Sequence, residues 1–224
     1  SPIATDLHAR SVPERLRVIR LRAQALTQIH AISRVREIER IIAIDIDDDV
    51  AASLPERIAF IGADVEVVDS ARAATIVSEV DVLCTCTSVD IGAGPVIGEA
   101  PPRPWLHVNA VGADFPGKVE LPRSLLRAAT VVPDIREQCR FEGECQQITE
   151  DEIGPELWEL IRAPASPPAA SGVTVFDSTG WAVEDDAALR LAHDLAMRHD
   201  LGTDVILESI SHDPYDPYSP PIGL

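Results

Sequence analysis

Short apolar runs alternate with longer amphipathic segments along the chain from residue 16 to residue 110. The runs with the length of strands are residues 16–19, 41–44, 65–68, 80–84 and 106–108. Segments with a helical period or a helix cap separate the first four at residues 23–35, 47–60 and 70–78. Strand–helix alternation predicts parallel strands with helices on both faces of one sheet, an α/β fold. The run at 41–44 is fully apolar, which is typical of a strand covered on both sides, and we expect the sheet to be buried on both sides.

The alternation changes after Gly112. Residues 122–128 and 134–143 are predicted to form short helices around a strand at 131–132. A segment rich in Pro, Ala and Ser at 163–172 is typical of a surface loop, and a strand at 173–176 and a long helix at 181–198 follow it. Prolines exclude helix and central strand from residues 213–221, so we expect an extended tail there.

The formal charge of −18 argues against non-specific nucleic-acid binding, which requires basic patches. No apolar run approaches the roughly 20 residues that span a bilayer, and the chain does not open with a basic segment followed by an apolar one. We therefore expect a cytoplasmic protein that does not interact with membranes.

Neither the cysteines nor the histidines have the spacing of a metal or redox site. Cys84 and Cys86 are two residues apart and face the same side of a strand, which is not C-x-x-C spacing. We expect all four cysteines to be buried or incidental thiols. The six histidines lack H-E-x-x-H or comparable spacing, so no metal site is predicted.

The turn after the first strand would carry glycines in a Rossmann-like fold, so that backbone amides could approach a pyrophosphate. Here Arg20 and Arg22 occupy the two glycine positions. A side chain at a close-approach position obstructs the backbone cradle, and we favour impaired nucleotide binding on this ground. The alternative is that the two guanidinium groups grip the pyrophosphate directly.

Asp45 ends the second strand 21 residues after Gln24. At this place an acidic side chain would hydrogen-bond the ribose hydroxyls of a bound dinucleotide and favour NAD over NADP. Spacing alone leaves a second interpretation open, in which Asp45 only caps the helix that follows the acidic turn.

The segment from 106 to 120 is the most informative in the chain. An apolar strand ends there in a glycine-bearing turn with Asp114 and, four residues later, Lys118, the only lysine. Because sites in open α/β sheets lie outside the carboxyl ends of strands, a partly desolvated Asp114 would suit proton transfer. A surface ion pair between the two side chains is the alternative.

A second turn of this kind, Phe176-Asp177-Ser178-Thr179-Gly180, lies between a strand and the long helix. Ser178 and Thr179 could cap that helix, and exposed amides at its start could also contact a ligand. The two roles do not exclude each other.

Five segments taken in order resemble the ornithine cyclodeaminase / mu-crystallin family: Ala23-Gln24-Ala25, Ile44-Asp45-Ile46-Asp47, Thr85-Cys86-Thr87-Ser88, Asn109 to Lys118 and Phe176 to Gly180. The last two are the specific part. The closing segments, Glu208-Ser209 and 213–219, resemble the branch that contains lysine cyclodeaminases and ectoine-utilisation proteins.

The resemblance implies an NAD-dependent reaction at the α-carbon of an amino acid of the ornithine, lysine or alanine class. A hydride leaves Cα and an imine forms; either the side-chain amine attacks it, with loss of ammonia and return of the hydride, or water attacks it and releases a keto acid. Asp114 would transfer protons and Thr179 would lie near the substrate. The residues implied to line the cofactor are Ala23, Gln24, Asp45, Thr85, Thr87, Val111, Gly112, Ala113, Lys118 and Ser178.

By the same resemblance, residues 1–15 would be a leading helix and connection, 16–180 the Rossmann-like NAD-binding domain, and 181–224 a helix and tail that pack toward a second domain. We expect that the family's N-terminal segment, which grips the substrate carboxylate and supplies most of the dimer contacts, has no counterpart here. Pairing in the family implies a homodimer, whereas the missing segment predicts little turnover by this chain alone. The alternative function is a non-catalytic relative that binds a nucleotide or small ligand weakly.

Overall fold

Parallel strands form one seven-stranded sheet in the computed structural model, which describes residues 1–10, 15–162, 172–205, 211–213 and 215–221. The strands are β1 Arg15–Ile19, β2 Arg40–Ile44, β3 Asp64–Val67, β4 Val82–Thr85, β5 His107–Ala110, β6 Ala129–Pro133 and β7 Val173–Asp177. Their order across the sheet is β3-β2-β1-β4-β5-β7-β6, and every neighbouring pair is parallel. The predicted Rossmann-like α/β fold is confirmed.

Helices cover both faces of this sheet. They are α1 Pro2–His8, α2 Ala23–Ser33, α3 Asp48–Arg57, α4 Arg123–Ala128, α5 Arg136–Glu142 and α6 Leu157–Arg162, with 3-10 helices at Ala59–Ile61, Ser70–Ser78, Glu144–Gln147 and Glu150–Glu152. Alternate residues of β1 separate into two apolar clusters, Leu16 and Val18 in one and Ile19 in the other. The side-chain alternation of a strand produces this division. A third, smaller cluster contains Ala4, Val132 and Phe176.

The structure corrects several expected elements. Residues Ser70–Ser78 form a 3-10 helix rather than an α-helix, and α6 was not expected. Strand β5 extends to Ala110, which places Asn109 within the strand rather than in the turn. Strand β3 lies at the sheet edge and is mostly exposed, so burial on both sides holds only for the inner strands.

The chain divides into two compact units, Ser1–Trp181 and Ala182–Leu224. The second contains α7 Ala182–His199 and an antiparallel pair, β8 Ser211–Asp213 and β9 Asp216–Pro221. The proline-rich end is thus extended, as expected. Most of the expected loop at 163–172, together with Glu208-Ser209, lies outside the described residues. None of the helices in the described ranges has the length and apolarity that a membrane span requires.

Helix α1 packs on the central strand β5. The amide of Asn109 donates a 2.9 Å hydrogen bond to the Thr5 hydroxyl, and the rings of His8 and His107 stack with centroids 5.7 Å apart. Burial lowers the pKa of His107 to about 3 and also lowers that of His8. These two histidines are therefore neutral residues of the core.

Candidate functional site

The strand order reverses between β1 and β4, which are neighbours near the centre of the sheet. Ligands of open parallel sheets bind in the crevice at such a reversal, outside the carboxyl ends of the strands. A cavity of about 470 Å³ opens there, and its polar lining comprises Arg20, Arg22, Asp45, Ser70, Thr87, Ser88 and Asp90. Its volume is typical of small-molecule pockets, which run from about 300 to 1,000 Å³.

The turn from β1 into α2 keeps a left-handed residue although it has no glycine. Arg20 has φ 67°, in the region that side chains other than glycine rarely adopt. Its amide donates to the Ile44 carbonyl at 2.8 Å, and the Leu21 amide donates to Asp45 Oδ2 at 2.7 Å. The turn is therefore held against the end of β2. Arg22 is the N-cap of α2, and no side chain caps this helix end.

Asp45 is 7% exposed and lines the cavity. Its Oδ1 accepts the amide of Asp47 at 3.1 Å while Oδ2 holds Leu21. The cap of α3 is Asp47, whose side chain accepts the amide of Val50 at 3.2 Å. The interpretation of Asp45 as the helix cap is thus wrong, and the structure places its carboxylate in the crevice.

Glu120, which the sequence did not mark, organises the ends of β4 and β5. Its buried carboxylate accepts the Thr85 hydroxyl at 2.7 Å, the Thr87 amide at 2.6 Å and the Gly112 amide at 2.9 Å. A Cβ at position 112 would lie 2.3 Å from Glu120 Oε1, so only glycine allows this approach. Because Thr85 is fully buried and bound to Glu120, Thr87 is the better placed of the two threonines for ligand contact.

Two more buried carboxylates continue from Glu120 toward β7. Glu144 accepts the amides of Glu120 at 2.6 Å and Leu121 at 3.2 Å. Asp177 accepts the amides of Glu144 at 2.9 Å and Cys145 at 2.8 Å. Burial raises the pKa of all three carboxyl groups, well above the usual range for Glu144 and to about 6 for Asp177. By accepting these backbone amides, the three carboxyl groups hold the segments that follow β4, β5 and α5 in place.

Asp114 and Lys118 form an ion pair at 2.5 Å in the turn after β5. The Asp114 side chain is 57% exposed and does not line the cavity, whereas Lys118 is 16% exposed. The expected partial desolvation of Asp114 is absent in the described chain. Gln146 holds the turn, since its amide accepts from the Gly117 N–H at 2.7 Å and donates to the Lys118 carbonyl at 3.0 Å.

The first turn of α2 meets the turn after β5 through Gln24. Its side-chain amide donates to the Val111 carbonyl at 3.3 Å, and the Val111 amide donates to the Thr85 carbonyl at 3.0 Å. Ala23 is exposed beside Gln24, and Ala113 is buried. The fold therefore brings the first turn of α2 and the turn after β5, which the family resemblance assigned to one cofactor site, to the same edge of the sheet.

Asp134 anchors the turn after β7. Its Oδ2 accepts the Ser178 hydroxyl at 2.8 Å, the Thr179 amide at 3.1 Å and the Gly180 amide at 3.2 Å. The Ser178 hydroxyl is thus directed to Asp134. Within the described residues, the buried hydroxyl oxygen of Thr179 has no hydrogen-bond partner. The sequence signal for Asp134 was its place directly after an apolar strand, the same signal that marked Asp45.

Four buried thiols complete the surroundings of the sheet. Cys84, Cys86, Cys139 and Cys145 are all free, which confirms the expected thiols. The sulfur atoms of Cys84 and Cys86 lie 3.6 Å apart on one face. Burial and neighbouring carboxylates raise the pKa of the Cys139 and Cys145 thiols, which makes both unreactive. Within the described residues, no group of three or more His, Cys, Asp or Glu side chains could hold a metal ion.

The sequence model of the ornithine cyclodeaminase/mu-crystallin family matches residues 1–200. The chain belongs to this family. The resemblance drawn from the motifs is confirmed.

Two relatives of known activity show how similar the chain is to cyclodeaminases in sequence. It is 45% identical over 218 residues to an L-lysine cyclodeaminase of Streptomyces rapamycinicus, covering 97% of this chain and 63% of the relative. It is 31% identical over 195 residues to an ornithine cyclodeaminase of Agrobacterium fabrum, covering 87% and 54%. The chain therefore spans less than two thirds of the length of these relatives.

Two solved structures superpose closely on the chain. A lysine cyclodeaminase studied for recognition of L-lysine, L-ornithine and L-2,4-diaminobutyric acid has a TM-score of 0.88 at 42% identity, covering 97% of this chain and 63% of that one. An archaeal alanine dehydrogenase dimer with bound NAD has a TM-score of 0.80 at 27% identity, covering 92% and 65%.

Proposed function

We propose that the chain is the NAD-binding part of an enzyme that acts at the α-carbon of an amino acid, with a basic amino acid such as lysine or ornithine as substrate. The observation that carries the proposal is the buried Asp45 carboxylate at the end of β2, beside the cavity at the strand reversal. Similarity to lysine and ornithine cyclodeaminases supports the substrate class. A cytoplasmic homodimer belongs to the same proposal.

The residues of the cavity fit a dinucleotide. Each Asp45 oxygen accepts one amide and keeps capacity for a further hydrogen bond, so the carboxylate can accept from the hydroxyls of a ribose. A phosphate at that ribose would meet this negative charge, which favours NAD over NADP. The remainder of the site would be lined by residues that follow the ends of β4 and β5, namely Thr87, Val111, Gly112 and Ala113. It would also include Gln24, Lys118 and Ser178.

NAD supplies a hydride acceptor for the substrate Cα and can return that hydride later in the reaction. The chain's own contribution is to bind and to move protons. The Asp114 carboxylate, held by Lys118, would take the proton that the α-amino nitrogen loses as the imine forms. The unpartnered Thr179 hydroxyl would donate to, or accept from, the substrate.

Titration of NADH into the purified chain tests the proposal. We expect saturable energy transfer from tryptophan to NADH, weaker with NADPH, and a loss of affinity in Asp45→Ala. The matched control is Asp64→Ala, which removes an exposed carboxylate from β3. Equal affinity of Asp45→Ala and Asp64→Ala would contradict the assignment of Asp45.

Assays with lysine, ornithine and alanine sort the reaction type. A cyclodeaminase releases ammonia without accumulating NADH, because the hydride returns to the product. A dehydrogenase accumulates one NADH for each ammonia. Asp114→Asn should lower the small turnover that we expect of this chain, under either reaction, while leaving NADH affinity unchanged, since Asp114 does not line the cavity.

A further inference from the structure

Two arginines replace the glycines of the nucleotide turn, and both line the cavity. Within the described residues, neither the Arg20 nor the Arg22 guanidinium makes a hydrogen bond or ion pair, although the chain carries a net charge of −18. Arg57, on α3, is in contrast bound to the Leu21 carbonyl of the same turn at 2.8 Å. Two unpaired cationic groups therefore share the lining of one cavity.

The backbone of this turn is already committed elsewhere. The amides of Arg20 and Leu21 donate to Ile44 and Asp45, so they are not free to approach a ligand from the cavity side. In a glycine turn, the diphosphate is cradled by backbone groups at close approach. Here side chains at positions 20 and 22 stand at the corresponding places.

The local field favours an anion at this point. Helix α2 starts at Ala23 with no acidic residue in its first turn and no side-chain cap. Its positive end therefore adds to the two guanidinium charges. The other charged residues of the lining are Asp45, whose carboxylate is neutralised in part by two backbone amides, and the exposed Asp90.

We propose that Arg20 and Arg22 bind the diphosphate of the dinucleotide through their guanidinium groups, in place of the backbone amides of a glycine turn. This inference rests on the proposed NAD-binding function. A guanidinium presents a planar fork of N–H donors that matches phosphate oxygens in pairs. The sequence alone favours the interpretation that the two arginines obstruct the backbone cradle for the diphosphate. In the described part of the structure their guanidinium groups are unpaired and lie beside an uncapped helix end, which favours direct contact with the diphosphate.

NADH titrations of the whole chain and its variants test the proposal. We expect Arg22→Ala to weaken NADH binding at least about tenfold, as for the loss of a hydrogen bond to a charged group. Arg22→Lys should recover only part of the affinity. Arg34→Ala, which removes an exposed arginine at the other end of α2, is the matched control and should bind as the wild type does. Added salt should weaken wild-type binding more than that of Arg22→Ala.

A double variant, Arg20→Gly with Arg22→Gly, restores the glycine pattern and separates the possible failures. The proposal predicts weaker binding by this variant, and tighter binding would show that the arginines obstruct the site. Wild-type binding that Arg22→Ala leaves unchanged would overturn the arginine contact alone. Absence of NADH binding by the wild type and by every variant, each with a native circular dichroism spectrum, would overturn the proposed function as well.

Discussion

Glu120 accepts the backbone amide of Gly112 at 2.9 Å while its other oxygen accepts the amide of Thr87 at 2.6 Å. These two amides belong to the turns that follow β5 and β4, so one buried carboxylate sets the spacing of two neighbouring strand ends. The cavity of the candidate site is lined by the second of these turns, the one that follows β4. Its shape therefore depends on a residue that does not line the cavity.

Replacing Glu120 by Gln should lower the free energy of unfolding by about 1–3 kcal/mol. The backbone N–H groups of Thr87 and Gly112 each donate to one oxygen of the Glu120 carboxylate. In glutamine an NH₂ group replaces one of these oxygens, and because NH₂ cannot accept a hydrogen bond, one backbone N–H loses its partner. The change is measured by urea denaturation, with Glu56→Gln at an exposed position of α3 as the control. Equal stability of the two variants would contradict the role of Glu120.

Asp177 should contribute a fall in stability as the pH rises. Burial raises its pKa from 3.8 to about 6, so the native state holds a proton that the unfolded chain releases earlier. The stabilisation is complete below the unfolded value of 3.8 and is lost as the pH rises through about 6. Urea denaturation across this interval should show a smaller fall in Asp177→Asn than in the wild type. The control, Asp64→Asn, changes an exposed carboxylate, and an equally reduced fall in that variant would argue against the assignment.

Arg17→Met should raise the free energy of unfolding by about 1–3 kcal/mol. Arg17 is fully buried on β1, and its guanidinium has no hydrogen-bond partner within the described residues. Burial lowers its pKa to about 10, which reflects the cost of the buried charge. Arg40→Met, at an exposed position of β2, should change stability by less than about 0.5 kcal/mol. A destabilised Arg17→Met protein would indicate a partner for this charge.

Arg20→Gly should stabilise the chain by about 0.5–1 kcal/mol, even though the proposed cofactor contact is lost. The gain arises because glycine adopts φ 67° without the strain that a side chain imposes. Arg22 has φ −79°, so Arg22→Gly offers no such relief and should be neutral or destabilising. Thermal denaturation of both variants without cofactor measures the difference. Similar melting temperatures would rule out a strained Arg20.

The order of strands and helices followed from the hydrophobic pattern because each element buries its own apolar face. The spacing between Gln24 and Asp45 likewise marked the acidic residue that lines the cavity. Element ends were less accurate: β5 continues through Asn109 to Ala110, since pairing with β4 and β7 extends the strand beyond its apolar run.

The carboxylates behind the crevice could not be predicted from sequence. Glu120, Glu144 and Asp177 bind amides or hydroxyls up to 35 residues away, and no local pattern encodes such pairs. Asp177 was part of a recognised motif, yet its partners lie in the segment after α5. Burial of an acidic side chain is a property of the assembled chain.

The amino-acid sequence by itself determined the parallel α/β fold, the family and the position of the strand ends that bear polar residues. Tertiary structure alone decided that Asp45 is buried, that Asp114 is exposed beside Lys118, and that Arg20 and Arg22 share one cavity. The physical reason is range. Periodicity and propensity act over a few residues, whereas solvent exposure and the pairing of charges depend on which distant segments the sheet brings together.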